Sequence, residues 1–239
     1  MHEALLSSQR SWEEDAGAYR TNLVWVGTDS YSPRGVAHVG PQPELIADAK
    51  TDLLEFINHD DLPVVAQCAI AHAQFETIHP FADGNGRCGR ALVHVILRNK
   101  RLSCDTTPPV SAGLLHDTES YFEALTLFRE GDAAPIARQF AQACRFAVIS
   151  GRKLIDDLCE QLDEGRSLLQ GVRSDAAVWR MLPNLIAQPI INTRYLQKAV
   201  RLSKPQAERA IKTLSERGVV VERTGRQRSV AYEHRGILD

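Results

Sequence analysis

The sequence predicts a mainly α-helical protein with a β-hairpin near its start and a second, smaller domain at its end. Residues 41–58 and 62–78 carry helix-periodic apolar residues, and the second stretch is apolar around most of its circumference, as expected for a central buried helix. Two short β-type runs precede them, at 22–27 and 35–40. Near residue 171 the pattern changes, which indicates a domain boundary.

The first domain is predicted over residues 1–170. Its first long helix has proline near its start and Asn58 at its end, both ordinary boundary signals. Residues 87–100 form a helix that is apolar on one side, and further helical stretches cover roughly 118–129, 133–150 and 152–170. The segment TDSYSPR separates the two β-type runs, which predicts a hairpin.

The second domain is predicted over residues 171–239. SDAAVWRMLPNLIAQ, TRYLQKAV and KPQAERAIKTLSERG read as three helices, and VVVERTGRQRSVAYE reads as a hairpin. This order is typical of a winged helix-turn-helix. Between 194 and 228 there are ten Lys and Arg against three Glu. The candidate phosphate contacts are Lys204, Arg209, Lys212, Arg223, Arg226 and Arg228. DNA contact and a dimerisation or docking role both stay open here.

Composition narrows the class of protein. The 239 residues are 24% charged with a formal net charge of -2. The net charge therefore does not favour binding to nucleic acid or to a membrane surface. The five cysteines form no C-x-x-C pair, which argues against a disulfide framework and a thiolate zinc site. No apolar signal core or membrane-length window is present, so we expect a cytoplasmic protein.

The twelve residues HPFADGNGRCGR at 79–90 carry the chemistry. They join a buried helix to a second helix, where unpaired N–H groups and the helix dipole favour an anion. Arg87 and Arg90 can reach the same anion, which suits a polyphosphate. Asp83 would repel phosphate unless a divalent cation lay between them, as Mg²⁺ does. His79 titrates near neutral pH and can accept a proton from a hydroxyl. These are the parts needed to transfer a phosphate-containing group from a nucleotide.

His72 and Glu76 lie one helical turn apart just before this loop. The spacing H-x-x-x-E-x-x-H is not that of a zinc protease. We therefore expect a structural role for both residues.

The loop resembles the signature of Fic (Fic/Doc) proteins, H-P-F-x-D/E-G-N-G-R-x-x-R, with every specified position matched. GAYR, VWVG and AHAQFETIHPF are similar to the flanks of that domain, and the tail resembles the winged-helix domain that some Fic adenylyltransferases carry. The resemblance implies a Fic-type helical bundle with a β-hairpin flap over about 22–43. It also implies transfer of AMP from ATP, with Mg²⁺, to a Ser, Thr or Tyr hydroxyl of a target protein.

The resemblance also implies a role for each motif residue. His79 would be the general base, Phe81 would pack inward, and Asp83 would hold Mg²⁺. The nucleotide contacts would come from Gly84, Asn85, Gly86, Arg87 and Arg90, with Tyr121 near the nucleotide. Val36, Ala37 and His38 would line up a target segment by strand addition. For Trp12, Trp25 and Tyr31 we expect packing in the core or the hairpin, with the lining of a base pocket as the alternative.

Regulation and partners stay open at this stage. The resemblance implies an inhibitory helix with the motif S/T-x-x-x-E-G/N before the segment MHEALLSS, and we expect no match to this motif anywhere in the chain. We expect that the glutamate lies upstream of Met1 or on a separate chain, or that the enzyme is unrestrained. A homodimer is a further alternative. The competing functions are a DNA-binding regulator whose Fic core senses nucleotide, and an enzyme that transfers another phosphate-linked group or removes AMP.

Overall fold

The computed structural model describes residues 1–7, 16–27, 32–225 and 230–238. Contacts within the chain divide it into two compact units, Met1–Gly151 and Arg152–Asp239. The described part is mainly helical, as the sequence predicts. No helix within the described ranges is long and apolar enough to span a bilayer. The predicted domain boundary at residue 170 stays a prediction.

In its described residues, the first unit holds seven α-helices and one antiparallel strand pair. In chain order, its elements are α1 (His2–Leu6), β1 (Trp25–Val26), β2 (His38–Val39), α2 (Ile46–Asn58), α3 (Val64–Ile78), α4 (Asn85–Asn99), α5 (Val110–Leu115), α6 (Thr118–Arg129) and α7 (Ala134–Leu168), the last of which continues into the second unit. A 3-10 turn at Pro43–Leu45 leads into α2. The predicted hairpin therefore exists, although its turn lies partly outside the described residues.

Helix α3 is the centre of the first core, because it packs against α2, α4 and α6. Cys68, Ala69, Ala71 and Ala73 are all 0–1% exposed, so small side chains let neighbouring helices approach closely. α4 is strongly amphipathic and buries Val93, Ile96 and Leu97. This packing fixes the end of α3 against the start of α4, where the signature loop lies.

Two local predictions were wrong. The helix break predicted between 150 and 152 is absent, because α7 runs from Ala134 to Leu168 through Gly151. A single glycine inside a helix costs only about 1 kcal/mol, which the adjoining turns outweigh. Helix α5 was not predicted, since six residues after Pro108 and Pro109 carry too little periodicity.

The second unit contains four further helices and a three-stranded sheet. They are α8 (Ala177–Ala187), β3 (Ile190–Ile191), α9 (Thr193–Ala199), α10 (Lys204–Glu216), β4 (Val221–Glu222), β5 (Tyr232–Glu233) and α11 (Arg235–Leu238). The antiparallel strand order is β3-β5-β4. Asn192 caps α9 through its side chain, and Ser203 forms a capping box with Gln206 at α10. The unit has its own apolar core, which includes Met181, Leu196 and Leu214. Its assignment as a winged helix stays a prediction.

Candidate active site

The signature loop connects two helix ends in left-handed conformations. α3 ends at Ile78, and His79 follows with φ of 46°, its N–H donating to the Phe75 carbonyl at 2.9 Å. Gly84 precedes α4 with φ of 80°. Positive φ is costly for a residue with a Cβ, although His, Asn and Asp tolerate it better than most. The strained conformation at His79 turns its side chain back over the last turn of α3.

His79 is held as a neutral base. Its Nδ1 lies 3.3 Å from the Glu76 carbonyl oxygen, so Nδ1–H donates there and Nε2 is left as the acceptor. The ring lines an open cavity of about 470 Å³. Burial, together with smaller contributions from the charges of His38, Arg20 and Arg129, lowers the pKa of His79 to about 4, so the expectation that it titrates near neutral pH was wrong. The unprotonated ring is therefore the form present at neutral pH.

The cavity is lined by the start of α4 and by the flap. Its residues are Trp25, Val26, Gly27, His79, Ala82, Asp83, Gly84, Asn85, Gly86, Arg87 and Arg90. All the predicted nucleotide contacts of the signature lie here together. A Cβ on Gly86 would lie 3.2 Å from the Arg90 guanidinium, so glycine keeps this wall open. The combination of free helix N–H groups and two guanidinium groups suits a polyphosphate.

Asp83 and Arg87 are paired with each other. The Arg87 guanidinium donates to Asp83 Oδ2 at 2.8 Å across one turn. Both side chains are about 40% exposed at the cavity, so the pair can open toward a ligand. Arg90 has no carboxylate within 4 Å among the described residues, which leaves its charge available to an anion.

Asn85 shapes the loop through its side chain. Its Oδ1 accepts from the Phe81 N–H at 3.0 Å, and its Nδ2 donates to the Phe81 carbonyl at 2.8 Å. The residue is 2% exposed. The amide thus holds a four-residue turn closed, and only the Asn85 main chain is placed to face an anion.

Phe81 packs inward, stacked on His2 with ring centroids 3.7 Å apart and planes 5° apart. His2 donates from Nε2 to the Asp83 carbonyl at 3.0 Å and accepts the Gly17 N–H at Nδ1. Sequence reasoning missed His2, because nothing near residue 2 signals a contact 81 positions away.

Arg20 ties the flap to the signature loop and was also missed. It is 6% exposed, and its guanidinium donates to four carbonyl oxygens. They belong to His79 at 2.7 Å, Ile78 at 3.2 Å, Asn22 at 3.0 Å and Pro41 at 2.7 Å. Its own N–H donates to Pro80. In the sequence, the one indication of a role for this arginine was its place in the flanking segment GAYR.

The flap residues divide between two roles. Ala37 donates its N–H to the Val26 carbonyl, and Val36 packs so tightly on Gly27 that a Cβ there would lie 2.7 Å away. The His38 ring lies 2.8 Å from the Thr77 carbonyl through Nε2, so this side chain anchors the flap to α3. The cavity is lined by Trp25 and Val26 of β1, which the prediction for Val36, Ala37 and His38 did not include. Trp12 and Tyr31 lie outside the described residues.

Tyr121 lies behind the loop and does not line the cavity. It is 6% exposed on α6, and its hydroxyl lies 2.7 Å from His72 Nε2. Burial raises the pKa of its phenol. The contact of Tyr121 with the nucleotide stays a prediction. Its position behind the loop does not support that contact.

A buried polar cluster surrounds Tyr121 and includes the residues expected to be structural. His72 is fully buried, and burial lowers its pKa to about 4. Glu76 is 8% exposed, and burial raises its pKa to about 7. His72 Nδ1 and Glu76 Oε1 are both buried without a hydrogen-bond partner among the described residues. Gly89 gives them room, since a Cβ there would lie 2.4 Å from Glu76 Oε1.

The expectation that the chain holds no match to the inhibitory motif was wrong, because TLFREG at 126–131 fits it. Glu130 is exposed where α6 ends, and its N–H caps that helix. It forms no ion pair with Arg90 among the described residues. This match therefore does not place an inhibitory glutamate at the site.

The cations of the second unit are partly neutralised by its own acids. Lys204 lies 3.8 Å from Glu208, Lys212 3.7 Å from Glu216, and Arg223 3.5 Å from Glu233. Arg226 and Arg228 lie outside the described residues. An open cleft of about 780 Å³ beside α9 and α10 has this same mixture of charges.

Three comparisons with known proteins agree on one family. The model of the Fic/DOC family matches residues 1–97. The protein adenylyltransferase fic-1 of Caenorhabditis briggsae is 30% identical over 145 residues, which are 59% of this chain and 25% of that protein. The protein adenylyltransferase Fic of Nematostella vectensis is 32% identical over 131 residues, or 54% and 27%. This chain thus spans about a quarter of the length of the curated relatives it matches.

A solved structure extends the likeness beyond the signature. The crystal structure of a Fic family protein from Desulfovibrio desulfuricans G20 is similar with a TM-score of 0.53 and 25% identity, covering 98% of this chain and 66% of that one. The matched signature, the loop geometry and these likenesses concern the same residues. Residues 1–97 of this chain therefore match the Fic/DOC family in sequence, and the described fold matches that of a Fic family protein.

Proposed function

We propose that this protein is a protein adenylyltransferase that transfers AMP from ATP to a hydroxyl side chain of a target protein. The observation that carries the proposal is the neutral His79 ring beside a cavity with two arginines and the start of α4. Relatives named as adenylyltransferases support the same reaction.

The proposed reaction needs one proton transfer and one displacement at phosphorus. His79 Nε2 takes the proton of the target hydroxyl, and the hydroxyl oxygen bonds to the α-phosphorus. The bond from that phosphorus to the bridging oxygen breaks, and pyrophosphate leaves. The N–H groups of Gly84, Asn85 and Gly86 face the charge that develops, while Arg87 and Arg90 hold the terminal phosphates.

The residues present fit Mg²⁺ in this site. No three His, Cys, Asp or Glu side chains converge as a metal site in the described ranges, but Mg²⁺ often needs only one carboxylate when phosphates supply other oxygens. Asp83 is that carboxylate, partly exposed at the cavity. When bound there, Mg²⁺ would neutralise charge on the departing pyrophosphate. When the site is filled, Arg87 would leave Asp83 and bind a phosphate group instead.

The target segment would lie along the flap. Backbone groups of β2 can pair with an extended peptide and fix its register. Since His38 is turned toward Thr77, the target would meet mainly backbone and the exposed Val39 side chain. Little sequence selectivity is expected from such a surface, so the identity of the target depends on contacts elsewhere.

The test compares label from two forms of ATP. With Mg²⁺, [α-³²P]ATP should label the chain itself or an added target, and [γ-³²P]ATP should not, because only AMP is transferred. His79→Asn is the better base variant, since Asn tolerates the positive φ at this position. We expect its rate to fall by about 10²–10⁴, with His116→Asn, an exposed histidine, as the matched control.

Equal labelling by wild type and His79→Asn would refute the base assignment. Label from the γ-phosphate alone would show phosphoryl transfer instead. A DNA-binding regulator gains no support from the described part of the second unit, where Lys204, Lys212 and Arg223 face glutamates.

A further inference from the structure

Glu76 is the acidic group nearest to the base. Its Oε2 lies 3.9 Å from His79 Nδ1, and the side chains are 10% and 16% exposed. Glu76 lies on the last turn of α3 and His79 follows that helix directly, and the left-handed conformation of His79 brings its ring back over Glu76. Among the described residues, no other carboxylate lies within 4 Å of this ring.

Nothing else in the described part of the chain satisfies this carboxyl group. Glu76 Oε1 is buried without a hydrogen-bond partner. Arg90 and Arg129 act on it through their charges, but neither comes within 4 Å of its oxygens. Buried polar atoms are normally paired, so an orphan beside a reacting group calls for an explanation.

The proposed reaction supplies that explanation. When Nε2 takes the proton from the hydroxyl, the ring becomes an imidazolium in a site whose burial and neighbouring His38, Arg20 and Arg129 oppose positive charge. The Nδ1–H bond to the Glu76 carbonyl orients the ring but carries no full negative charge. Among the described residues, Glu76 has the one carboxylate within 4 Å of this ring, so it can offset the charge at the moment it forms.

We propose that Glu76 is the acidic partner of His79, a positioning residue whose carboxylate stabilises the imidazolium formed during transfer. This inference rests on the proposed function, because it assigns a counter-charge to the proposed base. Gly89 makes the arrangement sterically feasible by leaving room for Oε1 against α4.

The protonation of Glu76 should appear in the pH dependence. Its carboxyl is ionised above a pKa of about 7 and neutral below it, so the rate should rise with pH through neutrality. His79, with its pKa near about 4, stays unprotonated over that whole range. The titratable groups that face Glu76 belong to three helices and the loop after α3: His72 of α3, His79 at the start of the loop, Cys88 and Arg90 of α4, and Tyr121 and Arg129 of α6.

The test uses Glu76→Gln, which keeps the shape and removes the charge. At pH 8 and saturating ATP we expect the auto-modification rate to fall about 30-fold, or about 2 kcal/mol at 1.36 kcal/mol per factor of ten. Between pH 5.5 and 8 the rate of Glu76→Gln should not change with pH, whereas the wild-type rate should rise. The control is Glu123→Gln, since Glu123 is exposed on α6. It should retain the wild-type rate and the rise of that rate with pH.

A second measurement does not depend on transfer. The protein is labelled with ¹⁵N-histidine, and the His79 ring signals are assigned by their loss in His79→Asn. The chemical shifts of these ring nitrogens should change with pH, with a midpoint near neutrality. That step should vanish in Glu76→Gln and persist in Glu123→Gln. If no nucleotide is transferred while this step behaves as stated, the proposed function fails and the pairing stands.

Two results would overturn the pairing. One is a His79 step that persists in Glu76→Gln. The other is a Glu76→Gln enzyme that is slower at every pH but whose rate still rises with pH as in wild type. That result would make Glu76 a structural residue only.

Discussion

Replacing Arg20 should separate the flap from the signature loop. Arg20 joins the carbonyl groups that end α3 to two carbonyl groups of the flap, through four hydrogen bonds of 2.7–3.2 Å. Lysine keeps the charge but presents its donors at one point, so it can reach one side of this clamp and not both. Methionine keeps the stem and removes every donor. We therefore expect Arg20→Met to be worse than Arg20→Lys, and both to be worse than wild type.

The size of the effect follows from the four bonds. A hydrogen bond to a charged group contributes about 1.5 kcal/mol at the low end, so a simple sum is about 6 kcal/mol. Water and relaxed main chain would replace part of this, since the carbonyls lie near an open cavity. We expect a loss of about 3 kcal/mol for Arg20→Met. For a chain of this size, that lowers the midpoint of thermal unfolding by about 6–12 °C.

The assay is thermal unfolding followed by circular dichroism, with amide exchange of residues 77–85 as the local reading. Arg138→Met is the matched control, because Arg138 is exposed on α7. Exchange in the loop should accelerate at least tenfold in Arg20→Met and stay unchanged in the control. A midpoint within 2 °C of wild type, or unchanged loop exchange, would refute the clamp.

Other substitutions test the packing behind the loop. Gly89→Ala should lower stability by about 1–3 kcal/mol in chemical unfolding, because its methyl group would collide with Glu76. Gly151→Ala, whose Cβ would make only an ordinary contact of 3.9 Å with Pro109, should raise stability by about 0.5–1 kcal/mol. Asn85→Ala should cost about 2 kcal/mol, as it leaves the Phe81 N–H and carbonyl unpaired; equal unfolding midpoints for the variant and wild type would contradict that role.

Much of the fold could be predicted from local patterns. The predicted helices at 62–78 and 118–129 are found as Val64–Ile78 and Thr118–Arg129, because long apolar periodicity survives any tertiary arrangement. The strands are shorter than predicted, at two residues each. Their pairing is continued by single hydrogen bonds at Ala37 and Gly40, which sequence cannot distinguish from a regular ladder.

The signature loop could be predicted as a site, but not how it is held. Motif spacing places Arg87, Arg90 and Asp83 at one helix start, which the structure retains. Arg20 and His2 are 59 and 81 positions away from their loop partners. Such pairs depend on how α1 and the flap pack on α4, and no period of two or 3.6 encodes that.

The electrostatics of His79 also required the structure, and they bear on how the site works. Without nucleotide, Arg20, Arg129 and His38 disfavour a proton on the ring, and Arg90 has no acidic partner within 4 Å in the described residues. An entering polyphosphate brings several negative charges to this positive environment. These charges should make the ring a stronger base at the step when a proton must be taken. Under the proposed function, the site would resist protonation of its base at rest and would gain basicity when the nucleotide binds, with Glu76 facing the other ring nitrogen.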